Sequence, residues 1–312
     1  MTIDTVTPDA THLTYKNTDA LSATFKNPTS FKLLYFPINS NGATSREILT
    51  IAQAGWENLV PKDWGKEKEK TPFNVLPVLF ISSPTIKDVV LAEAGVIEQY
   101  LAKRFGLMGN NEYEENLIKS FHSSAASLHS LHATTVAFIP DWEARKKAME
   151  AFRDGPFTQW VAIHDKHLRD NGSNGHYIAE KLTLADIRTS NLIEHLLLQT
   201  GAECLVGIIE RSSSLRRLRI EVAHDPRVDK WRSSRTYKAL TDATGRYFSD
   251  PFAPVPKFLL FEDLLDDDNG DNDREAAIQL WARERSPESL TIGFEMPTDH
   301  PKDRELVWNY LE

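Results

Sequence analysis

The ten residues from Thr71 to Phe80, TPFNVLPVLF, restrict this chain more than any other stretch of it. Val78 to Ile81 is wholly apolar and reads as a core strand, yet a proline stands at its threshold. Proline has no backbone N–H and is confined to a strand's first residue or to an edge. Two explanations stay open. Either Pro77 simply starts the strand, or it holds the backbone of Leu76 open for something other than a neighbouring strand to pair with.

The elements around that strand follow from periodicity. Phe31-Lys32-Leu33-Leu34-Tyr35-Phe36 reads as a strand ending at Pro37, and apolar residues at helical spacing from Ala43, closed by Gly55, predict a helix. Trp56 to Val60 predicts a second strand, Val78 to Ile81 the third and Val89 to Leu91 a fourth. AEAGVIEQYLAKRFG then predicts a helix that stops at Gly106. This order describes a small α/β domain over residues 29–108. From residue 109 the pattern is helical, with helices expected near Glu112–Ala137, Trp142–Arg153, Phe157–Arg169, Leu184–Thr200 and Ser213–Ala223. Residues 109–235 therefore form an all-α domain. The polar residues 1–28 read as a flexible lead-in. Residues 236–312 carry Trp281, Trp308 and Tyr310 and are expected to pack on the helical domain, with the acidic run EDLLDDDNGDNDRE as a mobile loop.

Composition excludes several function classes. A formal net charge of −9 argues against a nucleic-acid surface, which needs a basic stripe. Cys204 is the single cysteine, so no internal disulfide can form. No segment approaches the roughly 20 apolar residues that cross a bilayer, and the first thirty residues lack an unbroken apolar stretch. The expectation is a cytoplasmic protein without membrane or nucleic-acid partners. The acidic run fails as a calcium loop, because Gly270 in sixth place puts Leu265 first and Ala276 twelfth. His122 and His129 are two helical turns apart, too far for the i, i+4 pairing of a zinc helix, and no metal is expected. Thr183 with Asp186 is a capping box that starts a helix.

In this order the stretches resemble the soluble glutathione transferases, in their Tyr-type, sigma-like branch, over about residues 30–235. The resemblance rests on Tyr35 at the end of KLLYF, on Trp64 and Lys68 in DWGKEKEKTPF, on Leu76-Pro77, on Glu93-Ala94, on GVIEQYLAKRFGLMGNNEYEE and on LTLADI from Leu182. It implies a thioredoxin-like domain followed by a helical bundle, with glutathione as co-substrate and a homodimer as the assembly. It also implies a cis bond before Pro77, which would leave the Leu76 N–H and C=O facing a groove where glutathione pairs like an added strand. Tyr35 would be the catalytic residue. Trp64 and Lys68 would hold the glycyl carboxylate, and Glu93 with the Ala94 N–H the γ-glutamyl end. Val75 would contribute main chain only. His122, Ser123 and His129 would border the electrophile pocket.

A free thiol, with a pKa of about 8.5, is mostly protonated near neutrality. Lowering it by two units takes about 2.7 kcal/mol of preferential stabilisation of the anion, which a tyrosine hydroxyl at a helix N-terminus can supply. Taken alone, Tyr35 reads as a buried strand tyrosine and GKEKEK as a solvated charged face. The sequence departs from the family pattern in two places. Ala94 replaces a serine, and the nearest arginine after the tyrosine is Arg46, several residues late. The expected function is a glutathione transferase acting by conjugation or isomerisation, in a specialised biosynthetic step. The alternative is a non-catalytic binding or regulatory module. No cysteine precedes Cys204, which argues against thiol transfer.

Overall fold

The computed structural model describes residues 18–199 and 201–249. The described residues open with a short helix, α1 (Thr18–Lys26), inside the segment expected to be a flexible lead-in. Buried anchors account for it. Phe25 packs edge-on against Tyr100 at 5.0 Å, and the Thr24 hydroxyl meets that of Ser83 at 3.1 Å. The rest of the lead-in, the acidic run and the three aromatic residues of the C-terminal stretch lie outside the described residues.

Four strands form one sheet in the order β2-β1-β3-β4: β1 (Ser30–Leu34), β2 (Trp56–Leu59), β3 (Val78–Ser82) and β4 (Val89–Ala92). Strands β1 and β2 run parallel because a helix, α2 (Ala43–Ile51), crosses between them, whereas β3 pairs antiparallel with both of its neighbours. Alternate residues of β3 explain why the whole run is apolar. Leu79 and Ile81 join Leu33, Ile48, Leu49, Ile97 and Leu101 on one face, while Val78 and Phe80 join Leu34, Leu59 and Val90 on the other. The first face is covered by α2 and by α4 (Ala94–Arg104). A one-turn helix, α3 (Trp64–Glu67), sits on the connection after β2.

The helical part begins at α5 (Glu112–His132), capped by the Asn111 side chain, which accepts the Glu114 N–H at 3.0 Å. A wider turn over Ala133–Ala137 continues it, so the apolar period runs on to Ala137 after the α-helical bonding ends. A similar turn around Pro156 joins α6 (Trp142–Phe152) to α7 (Thr158–Asp170), which the sequence divides into two separate helices. Next comes α8 (Leu184–Leu197), buried along nearly its whole length. The Asp186 carboxylate accepts the Thr183 and Tyr177 N–H groups at 2.8 and 2.9 Å, fixing where α8 starts. Then follow α9 (Glu203–Arg211), α10 (Ser213–His224), α11 (Pro226–Arg232) and α12 (Arg235–Ser249).

The two parts are bonded to each other through α2. Arg232 of α11 donates to both oxygens of the buried Glu47 carboxylate at 3.1 and 3.0 Å, and Asn191 of α8 donates to the Thr44 hydroxyl at 3.3 Å. Among the described residues no helix is long and apolar enough to cross a membrane.

Candidate active site

The corner between β1 and α2 holds the first expected residue. Tyr35 is 5% exposed, its N–H bonded to the Leu59 carbonyl and its hydroxyl accepting the Asn41 N–H at 3.2 Å. Asn41 lies in the 3-10 turn Ser40–Gly42 that leads into α2, so the phenol oxygen sits at a helix start. Gly42 makes this possible, since a Cβ there would stand 2.5 Å from the Tyr35 ring. Burial pushes the phenol's pKa up, while the Ser40 side chain, the Arg46 guanidinium and the Asn41 N–H pull it down. The group is therefore a neutral phenol near pH 7.

Arg46 stands several residues later than the arginine of the family pattern. It reaches back from α2 so that its guanidinium lies 5.4 Å from the Tyr35 ring centre. The group is fully buried and donates to Asn58 Oδ1 at 2.7 Å and to the Phe36 and Ile38 carbonyls. Burial lowers its pKa to about 10, which still leaves it charged at neutrality. A buried cation beside the phenol stabilises negative charge in that corner.

Leu76 and Pro77 are joined by a cis peptide bond. The Leu76 side chain packs in the apolar cluster that contains Tyr35, and its N–H and C=O find no hydrogen-bond partner among the described residues. Val75 is half-buried on the same approach. Trp64 opens α3, half-buried, with its ring edge-on to Phe36 at 5.6 Å. Asp63 caps that helix by accepting the Lys66 N–H at 3.3 Å. Lys68 is half-buried and makes no ion pair among the described residues, whereas Lys66 is tied to Asp63.

Glu93 is exposed and sits at φ 72°, ψ 122°, where residues with a Cβ are rarely found. Conformations of this kind cost about 1–3 kcal/mol and gather at functional sites. Ala94 is the first residue of α4, a helix start that no side chain caps.

The two histidines expected at the electrophile pocket are both buried. His122 is 2% exposed and its Nε2 is 2.6 Å from Glu98 Oε2, while the other oxygen of Glu98 is 3.5 Å from Arg188. His129 Nδ1 accepts from Arg188 at 3.0 Å and its ring lies 4.5 Å from that of His195. Their seven-residue spacing does put them on one face of α5, but that face packs against α4 and α8. Ser123, one residue round the helix, is exposed. Beside Tyr35 stand Ile38, Ala137, Ala243 and Phe248, with Phe36, Phe138 and Tyr247 packed against them. Phe138 and the α12 residues carried no site signal in the sequence, because nothing local tells which helix returns to Tyr35. Among the described residues no three His, Cys, Asp or Glu side chains form a metal-binding group.

Residues 129–235 match the family of glutathione S-transferase C-terminal domains. A probable glutathione S-transferase of Caenorhabditis elegans, number 7, is 26% identical over 211 residues, which covers 66% of this chain and 96% of that protein. Glutathione S-transferase 1 of Ascaris suum is 28% identical over 163 residues, covering 50% and 75% respectively. Among solved structures, a sigma class enzyme of Fasciola hepatica aligns with a TM-score of 0.56 at 20% identity, over 65% of this chain and 94% of its own. Prostaglandin synthase D of Nilaparvata lugens aligns with a TM-score of 0.55 at 23% identity, over 65% and 95%. The structural likeness establishes the fold: a thioredoxin-like sheet domain followed by a helical domain.

Proposed function

We propose a function from one premise: the chain belongs to the glutathione S-transferase family. It binds glutathione along the Leu76 main chain and uses Tyr35 to hold the sulfur as a thiolate. The observation that carries this is the meeting, in one cluster, of a buried neutral phenol at the start of α2 with a main-chain segment whose N–H and C=O are unpaired. The tripeptide's cysteinyl residue supplies the missing donor and acceptor as an added strand would. Lys68 and the Trp64 indole suit the glycyl carboxylate, and Glu93 suits the γ-glutamyl ammonium. The open helix start at Ala94 suits the γ-glutamyl carboxylate.

The thiolate then attacks an electrophilic carbon. In conjugation a carbon–sulfur bond forms, the leaving group departs with its electron pair and the thiol proton goes to solvent. In isomerisation sulfur adds, the bond order shifts, and sulfur leaves again, which returns glutathione unchanged. A substrate from a specialised biosynthetic step is the finer form of this proposal. The protein acts as a homodimer in the cytoplasm.

Tyr35→Phe tests the chemistry. Losing a hydrogen bond to a charged sulfur costs about 1.5–3 kcal/mol, so kcat/KM for an aryl halide falls roughly 10- to 150-fold. The pH at which bound glutathione ionises, followed by thiolate absorbance, moves up with it. A variant as fast as the wild type removes Tyr35 from the mechanism. A non-catalytic binding module is favoured by one observation, the near-complete burial of Tyr35. Retention on immobilised glutathione with no rate toward any electrophile would establish it.

A further inference from the structure

Helix α12 lies across the corner, with Ala243 and Phe248 buried in the Tyr35 cluster and Tyr247 packed against it. Its grip on the sheet domain is polar as well. The Asn39 N–H donates to the Thr244 hydroxyl at 2.7 Å, and the Asn39 side-chain amide donates to the Thr241 hydroxyl at 3.0 Å. At the far end Arg145 of α6 donates to the carbonyls of Phe248 and Ser249 at 3.2 and 3.5 Å.

The base of this unit is anchored differently. Arg232, three residues before α12, is fixed by Glu47, Ser190 and Asn191. The first half of α12 has its own packing, with Leu240 and Tyr237 against Trp231 of α11. The second half, from Thr241 onward, is the part that joins the Tyr35 cluster. Ser233 and Ser234 form a short joint between base and helix.

We propose that the second half of α12 is an internal plug. In the closed state it fills the ground beside Tyr35 that the electrophile needs, while the glutathione face at Leu76, Trp64, Lys68 and Glu93 stays accessible. Glutathione alone then binds without moving α12. A glutathione whose sulfur carries an alkyl chain must displace Ala243 and Phe248, so its affinity is reduced by the population of the closed state. The plug thereby selects against bulky acceptors and holds the sulfur out of water until a fitting one arrives. This rests on the glutathione reading above.

The experiment measures glutathione and S-hexylglutathione by calorimetry on the full chain. It compares the wild type with Thr244→Val, which keeps the side chain's shape and removes the acceptor for Asn39, and with Phe248→Ala, which empties part of the plug. Circular dichroism confirms that each variant is folded. The expected result is S-hexylglutathione binding about tenfold tighter in at least one variant, with glutathione affinity unchanged. Amide exchange in residues 241–249 should also rise when the wild type binds S-hexylglutathione and stay level with glutathione. Equal affinities for S-hexylglutathione in all three proteins, or an α12 that exchanges no faster when it is bound, overturns the plug and leaves glutathione binding intact. Failure of all three proteins to bind glutathione overturns the functional reading itself, and the plug falls with it.

Discussion

Ala94 shows how one side chain sets the strength of a site. It opens α4 just after the strained Glu93, at a helix start without a capping side chain. A hydroxyl added there would give a bound carboxylate one further donor. Such a bond to a charged acceptor is worth about 1–3 kcal/mol, so Ala94→Ser is expected to tighten glutathione binding roughly tenfold, as read by calorimetry. Unchanged or weaker binding would mean that the γ-glutamyl end lies elsewhere. Tyr35, Trp64, Lys68 and Glu93 become candidates only through the resemblance to a family, since taken alone each reads as ordinary strand, loop or surface chemistry. Sequence alone passed over Gly42, whose role appears only where the Tyr35 ring meets the turn. Arg46 stands several residues late against the family pattern, and residue counting does not show that α2 brings it back over the phenol.

At the scale of elements, α2 is where the sheet domain and the helical domain are fastened. Glu47 is 1% exposed and its carboxylate is held by Arg232, itself 13% exposed. Arg232→Met would leave that carboxyl buried without its partner, a loss of about 3–5 kcal/mol. Urea unfolding should report it as a lower midpoint, and Glu47→Gln with Arg232→Met together should recover part of the loss. A single variant within 1 kcal/mol of the wild type would show that the pair is dispensable, as exposed pairs are. The loss should also reach the active site, because α12 leads directly from Arg232 to Tyr35. Helices α5, α8 and α10 were legible from their periods, and α8 from its capping box as well. Helix α12 was legible only as part of an extension, and its direction was not.

For the molecule as a whole, buried histidines tie stability to pH. Burial pushes His132 and His164 down to about 3, and burial together with His132 and Arg188 does the same to His195. His129 is lowered well below its usual value by burial, His195, Arg188 and His132. The fold therefore holds these rings neutral, whereas the unfolded chain takes up protons near pH 6.5. Their contribution is complete above that pH and is lost as pH falls below 6.5, by on the order of 1 kcal/mol per pH unit for each ring. His176, raised by its hydrogen bond to Asp186, works in the opposite direction but is one group against four. The thermal midpoint should thus drop steeply between pH 7 and 5.5. A flat midpoint would show that these rings titrate normally. His132, whose two ring nitrogens have no partner among the described residues, gives the control: His132→Leu should make the drop shallower.

Local chemistry is what the sequence determined without help. The apolar run after Pro77 makes a strand, Thr183 with Asp186 starts a helix, and the change of period near residue 109 divides sheet from helices, because each depends on neighbours a few bonds away. Tertiary structure alone decided which face of α5 turns inward, taking His122 to Glu98 and His129 to Arg188. It also decided which helix packs into the Tyr35 cluster. The bond from Asn39 to Thr244 spans 205 positions. Contacts at that separation are chosen by how whole surfaces pack, and no local pattern records them.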